Sequence, residues 1–135
     1  MFRKWITELF ALLVGGTLGT FLRYQITHIW LTNAKYCMIP LPTLIVNSAG
    51  SFLIGFLYEI FTTIGIAIPH AEKIIFVGFL GAFTTFSMYS LESITLFREG
   101  KYKEALIYVT LSNLVPLLLV IVGFCVAKFF LEIKE

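Results

Sequence analysis

The chain has 135 residues, 59% of them hydrophobic and 13% charged, with a net charge of +2. A water-soluble domain of this length carries about a quarter charged residues, so a soluble globular fold is excluded. Aspartate is absent and only two histidines and two cysteines occur; no Ser/His/Asp set, phosphate-binding loop or His/Glu metal spacing can be assembled, which argues against an enzyme, and no nucleic-acid partner is expected.

The apolar residues fall in four runs, each reaching the ~18 residues that a helix needs to be read as a membrane span. The expected fold class is therefore an all-α membrane protein. One transmembrane domain covers 1–135, with spans near 5–30, 43–67, 73–97 and 104–130. Arg3 and Lys4 precede the first run, as in a signal peptide, but no A-x-A-like site follows and the run continues through "GGTLGTFLRY". Gly15 and Gly19 form a G-x-x-x-G pair suited to close helix packing. Arg23 either anchors the helix at the interface or pairs with a carboxylate, and anchoring is the simpler reading. Pro40 and Pro42 set an extended approach to the second helix, and Cys37 falls in the loop before them.

On the second span, Thr43, Asn47 and Ser51 lie at i, i+4 and i+8, on one helical face, with Gly50 thinning the helix beside them. The Asn47 amide has two donors and two acceptor sites to satisfy in hydrocarbon. Gluing helices together and lining a polar path both explain it.

The third span holds the densest polar stretch, "GFLGAFTTFSMYSLE" at 78–92. In a continuous helix Phe83 and Phe86 share a face that Ser87 and Ser90 extend, while Thr85, Tyr89 and Glu92 form an adjacent one. Gly78 and Gly81, followed by Ala82, leave the backbone bare, and the helix is expected to break there. Backbone freed at membrane depth is tolerated only where protein buries it or water reaches it. Freed carbonyls suit a small cation; freed amides and hydroxyls suit an anion. The edge of a phenylalanine ring carries positive charge density. Phe83, Phe86, Asn47 and neighbouring hydroxyls thus read as the frame of an anion path, with plain packing as the alternative. Glu92 is expected near the span's end, where Arg98 and Gly100 make a helix-stop pattern.

On the fourth span Tyr108 and Ser112 lie four apart, with Asn113 beside them; Pro116 predicts a kink, and Cys125 reads as apolar filler. Four spans put both termini on one side. That side, with the second loop, holds Arg3, Lys4, Lys73, Lys128 and Lys134, against Arg23, Lys35, Arg98, Lys101 and Lys103 opposite, a tally of five to five. Positive residues normally decide orientation. Here the balance leaves open insertion both ways round, with copies meeting antiparallel, and a single orientation set by local charges.

In order, spacing and length, "GGTLGTFLRY" at 15–24, "TLIVNSAGSFLIGF" at 43–56 and "GFLGAFTTFS" at 78–87 make the chain resemble the Fluc (CrcB) fluoride channels over essentially its full length. The resemblance implies a dual-topology antiparallel homodimer in the bacterial cytoplasmic membrane, with two pores through which fluoride leaves the cytoplasm passively. By similarity, Phe83 and Phe86 are the pore phenylalanines, Asn47 a pore amide and Thr43 a nearby polar residue. Tyr108 and Ser112 correspond to a polar track on the fourth helix, and Thr85 and Ser87 to the outer reach of the path. A structural sodium ion at the dimer centre would take backbone carbonyls of Gly78 and Gly81 from both subunits. Ala82 and Pro116 depart from the family pattern. A proton-coupled exporter of the small multidrug kind, which needs an embedded carboxylate, and an accessory subunit of a larger complex are the rival readings.

Overall fold

The computed structural model describes residues 2–33, 38–65 and 73–133; Lys35, Cys37, His70 and Lys134 lie outside them. Its elements are α1 (Phe2–Asn33), α2 (Leu41–Ile64), a loosely wound π-helical segment (Lys73–Leu80), α3 (Gly81–Phe83), α4 (Phe86–Arg98) and α5 (Tyr102–Glu132). Four stretches are long and apolar enough to cross a membrane: Trp5–Ile29, Leu41–Ile64, Lys73–Arg98 and Tyr102–Glu132. The protein is thus an all-helical, multi-pass membrane protein.

Glycine sets how the spans pair. α1 packs chiefly on the first half of the third span, and α2 on α5. A Cβ added at Gly15 would strike the Ile74 carbonyl, and one at Gly19 the Phe79 carbonyl. Both contacts are with backbone, which cannot swing aside, so the two helices touch along the G-x-x-x-G stripe as expected. Gly55 and Gly123 do the same between α2 and α5, against the backbone of Val120 and Phe52.

The interior is small. Among the large side chains of the described residues only Tyr108 and Val46 are fully buried, while leucines, isoleucines and phenylalanines cover the outside. That inversion costs nothing in hydrocarbon, where an exposed leucine meets lipid instead of water. The buried cluster, Leu44, Leu96, Ala105 and Tyr108, joins α2, α4 and α5 near one end of the bundle. Cys125, read as filler, is exposed on the outer face of α5. At the α4–α5 turn Arg98 lies in the last turn, Gly100 takes φ 74°, and the Gly100 N–H donates to the Phe97 carbonyl at 3.1 Å. Left-handed backbone of this kind favours glycine, as the helix-stop pattern requires.

Candidate functional site

Helical geometry is interrupted in the third span at Thr84 (ψ 158°) and Thr85 (φ −150°, ψ 119°), just beyond the Gly78–Ala82 stretch where the sequence suggests it. The reason lies on α2. Asn47 Nδ2 donates to the Thr85 carbonyl at 3.0 Å, and the Thr85 N–H donates to Asn47 Oδ1 at 2.8 Å. One amide side chain thereby replaces both hydrogen bonds that the extended residue forfeits. Gly50 makes room for the interruption: a Cβ there would strike the Thr84 methyl group. Thr85 then caps α4, its Oγ1 accepting from the Met88 N–H at 3.2 Å and lying 3.2 Å from Ser87 Oγ. Gly78, by contrast, is buried against Gly15 and Gly16, where its missing side chain serves helix packing.

A cavity of about 320 Å³ opens beside the interruption, lined by Asn47, Thr85, Phe86, Ser112 and Pro116 among others. The clasp on Thr85 leaves one Asn47 amide hydrogen free to face it. Ser112 lines this cavity, but its Oγ is itself buried, next to the Tyr108 hydroxyl and without a partner at good hydrogen-bond geometry among the described residues. Pro116 lies within α5 without ending it. Its missing N–H leaves the Ser112 carbonyl without its usual helical donor.

Phe83 does not join this site. It is 3% exposed and its ring stacks on Phe79 at 5.8 Å, whereas Phe86 is 76% exposed at the cavity's edge. Three residues apart predicts a shared face only along a continuous helix. The two extended residues between them cancel that register. Phe86 instead faces Tyr89, with ring centroids 5.4 Å apart, and Tyr89 faces Tyr108 at 5.7 Å. Tyr89 is the aromatic that the reading of the sequence missed for this role; its place in the i, i+4, i+7 set with Thr85 and Glu92 was the available signal.

Glu92 is the other surprise. It lies six residues before the end of α4, about 9 Å along the axis at 1.5 Å per residue. Its carboxyl accepts from Thr43 Oγ1 at 2.9 Å and from the Tyr108 hydroxyl at 2.6 Å. Thr43 and Tyr108 are therefore brought together, as partners of a carboxyl group. Thr85, Ser87, Thr43 and Glu92 border a second cavity of about 480 Å³, which also touches Arg23. Arg23, expected as an interface anchor, turns inward and donates a long hydrogen bond, 3.5 Å, to the Thr84 carbonyl at the interruption. The fixed positive charge thus stands beside the freed backbone. Ser90 contributes nothing to either cavity by its hydroxyl, which is spent on the Phe86 carbonyl of its own helix at 2.9 Å.

The arrangement offers amide, hydroxyl and ring-edge donors to something small and electron-rich. Comparison with known proteins narrows its class. Residues 10–124 match the model of the family described as CrcB-like protein, Camphor Resistance (CrcB). The chain belongs to the CrcB family. A relative from Parabacteroides distasonis is 36% identical over 121 residues, covering 90% of this chain and 93% of its own length; one from Hydrogenobaculum sp. is 38% identical over 114 residues, covering 84% and 91%. A third, from Legionella pneumophila (strain Lens), is 39% identical over 121 residues, covering 90% of each chain. All three are named "Fluoride-specific ion channel FluC". CrcB membership places the chain among ion channels and not among enzymes, and it removes the ground from the exporter reading.

Proposed function

We propose that the chain is a fluoride-selective channel through which F⁻ leaves the bacterial cytoplasm passively, across the cytoplasmic membrane. HF is a weak acid that crosses lipid and dissociates inside, so a passive path for the anion alone empties the cell without ATP. The observation that carries this reading is the polar set around the interruption: the Asn47 amide and the exposed Phe86 ring, which line one cavity with Thr85 and Ser112. Neutral donors and a ring edge can replace the water shell of a small anion without holding it as a lysine would. Arg23, against the Thr84 carbonyl, raises the local potential at the approach from the second cavity.

Assembly belongs to the same proposal. Phe86 exposed at membrane depth, beside a cavity open on its outer side, needs a second protein surface to enclose a dry path. An antiparallel copy supplies it, giving two paths per homodimer and agreeing with the five-to-five balance of positive residues. The structural sodium ion implied by the resemblance fits less well. Gly78, one of its two expected ligands, faces α1, with its carbonyl toward Gly16, and only Gly81 borders the cavity. Permeation as proposed needs no such ion.

The test is flux. Purified protein is reconstituted into vesicles loaded with potassium fluoride, and efflux is followed with a fluoride electrode after valinomycin; potassium chloride vesicles and a chloride electrode serve as control. Rapid electrogenic fluoride loss with little chloride loss is expected. No fluoride loss from a well-folded protein overturns the proposal.

A further inference from the structure

Ser51 completes the polar face of α2 with Thr43 and Asn47, yet it has no part in the clasp on Thr85. Asn47, Gly50, Ser51 and Ile54 are spaced i, i+3, i+4 and i+7, which is one side of a helix, and all four line the cavity of about 320 Å³ beside the interruption. Four residues bring hydroxyl groups to that cavity: Ser51, Thr84, Thr85 and Ser112. Three of the hydroxyls are engaged or enclosed. Thr84 Oγ1 donates to the Leu80 carbonyl at 2.9 Å, and Thr85 Oγ1 accepts from the Met88 N–H at 3.2 Å and pairs with Ser87 Oγ. Ser112 Oγ is buried next to Tyr108. Ser51 Oγ has no hydrogen-bond partner among the described residues and, unlike Ser112 Oγ, is not closed off.

A serine within a helix commonly turns its hydroxyl back to the carbonyl four residues before it, as Ser90 and Ser93 do at 2.9 and 2.7 Å. Ser51 leaves that bond unmade, so its donor is available to whatever enters the cavity. A hydroxyl left open at membrane depth needs a polar occupant. We propose that the Ser51 hydroxyl donates to the anion in transit and is a specificity-determining residue, the second donor on the α2 wall after the Asn47 amide. This deepens the fluoride-channel reading and rests on it. The two donors lie four residues apart, about 6 Å along the axis, so one ion meets them in succession. Conduction requires several moderate sites in place of a single trap. Past Ser51 the α2 wall continues as Ile54, and Phe76 and Leu80 face the same cavity; Ser51 is therefore the last donor α2 offers before the wall turns apolar. A hydrogen bond to an ion is roughly twice as strong as one between neutral groups. It shortens with the acceptor's radius, so an O–H donor at this point favours fluoride over chloride.

The experiment compares wild type, Ser51→Ala and Ser90→Ala in the vesicle flux assay and in detergent unfolding. Ser51→Ala is expected to cut fluoride efflux about tenfold, the equivalent of one lost hydrogen bond to an ion, and to narrow the fluoride-to-chloride ratio. Its unfolding temperature is expected to stay near wild type, because the hydroxyl has no partner in the protein to lose. Ser90→Ala, whose hydroxyl is spent within its own helix, is expected to conduct as wild type does. Wild-type flux and selectivity in Ser51→Ala overturn the proposal. A lowered unfolding temperature with undiminished flux per folded protein also overturns it, since that is the mark of a structural serine. So does an equal loss of flux in Ser90→Ala. Wild-type vesicles that release no fluoride overturn the channel reading itself, which is a distinguishable failure. A second measurement needs no vesicle: in detergent, sodium fluoride is expected to raise the unfolding temperature of wild type above its value in sodium chloride, and Ser51→Ala to lose most of that rise. An equal rise in both proteins overturns the role of the hydroxyl.

Discussion

Asn47→Ala tests the centre of the site. The substitution removes two hydrogen bonds, of 2.8 and 3.0 Å, that satisfy the backbone N–H and carbonyl of Thr85. Each buried backbone group left without a partner costs about 1–3 kcal/mol, so the pair sets a ceiling of roughly 6 kcal/mol. The peptide is only partly buried and borders a cavity that water can enter, which puts the expected loss at about 2–3 kcal/mol. The assay is unfolding in detergent, read against wild type, together with fluoride efflux. Efflux is expected to fall at least about tenfold, because the remaining amide donor is lost with the clasp. Asn47→Asp is the instructive comparison: it keeps an acceptor for the Thr85 N–H but offers no donor to the Thr85 carbonyl. It should recover about half of the stability and none of the flux, since a carboxylate at the path repels an anion. An Asn47→Ala protein within about 0.5 kcal/mol of wild type, conducting fully, would refute the claim that this side chain holds the interruption open.

Phe86→Ile is expected to abolish fluoride efflux with little change in stability, whereas Phe83→Ile, at a buried ring, should cost about 1–3 kcal/mol and leave the flux per folded protein near wild type. The reverse pattern would return Phe83 to the path. Gly19→Ala places a methyl group against the Phe79 backbone; a loss of about 1–3 kcal/mol is expected in detergent unfolding, and Gly16→Ala, with only the Gly78 carbonyl 4.0 Å away, should be nearly silent. Tyr108→Phe leaves one Glu92 oxygen without its 2.6 Å donor, at an expected cost of about 1–3 kcal/mol, and adding Thr43→Val should lower stability further. At the α4–α5 turn, the hydrogen bond from Lys101 to Glu99 and the charge of that carboxylate raise the Lys101 amine above its ordinary value. The contribution is present at neutral pH and is lost as pH rises through the raised value, so Glu99→Gln should lower stability slightly across the neutral range and leave less of it to be lost on the alkaline limb.

Much of this protein was legible in one dimension because the bilayer is a severe filter. Long apolar runs can only be spans, and glycines spaced four apart can only help if helices touch, as Gly15 and Gly19 do against the third span. Asn47 was legible for a related reason: an amide in hydrocarbon must find partners, and its two partners turned out to be the two backbone groups of one residue. What the chain could not announce was where the helix stops being a helix. Bare glycine marks a place that can break, yet Gly78 is used for packing and the interruption falls at Thr84 and Thr85, where a side chain from another helix supplies replacement hydrogen bonds. That shift decides the rest of the site. Periodicity carries a face only through unbroken helix, so Phe83 turned into the interior, Phe86 turned out beside Tyr89, and Arg23 found a carbonyl that no spacing rule connects to it. Composition and periodicity determined the solvent this protein lives in and how many times it crosses it; tertiary contacts alone decided which polar groups meet at the interruption, because those contacts choose the residue at which the backbone leaves the helix.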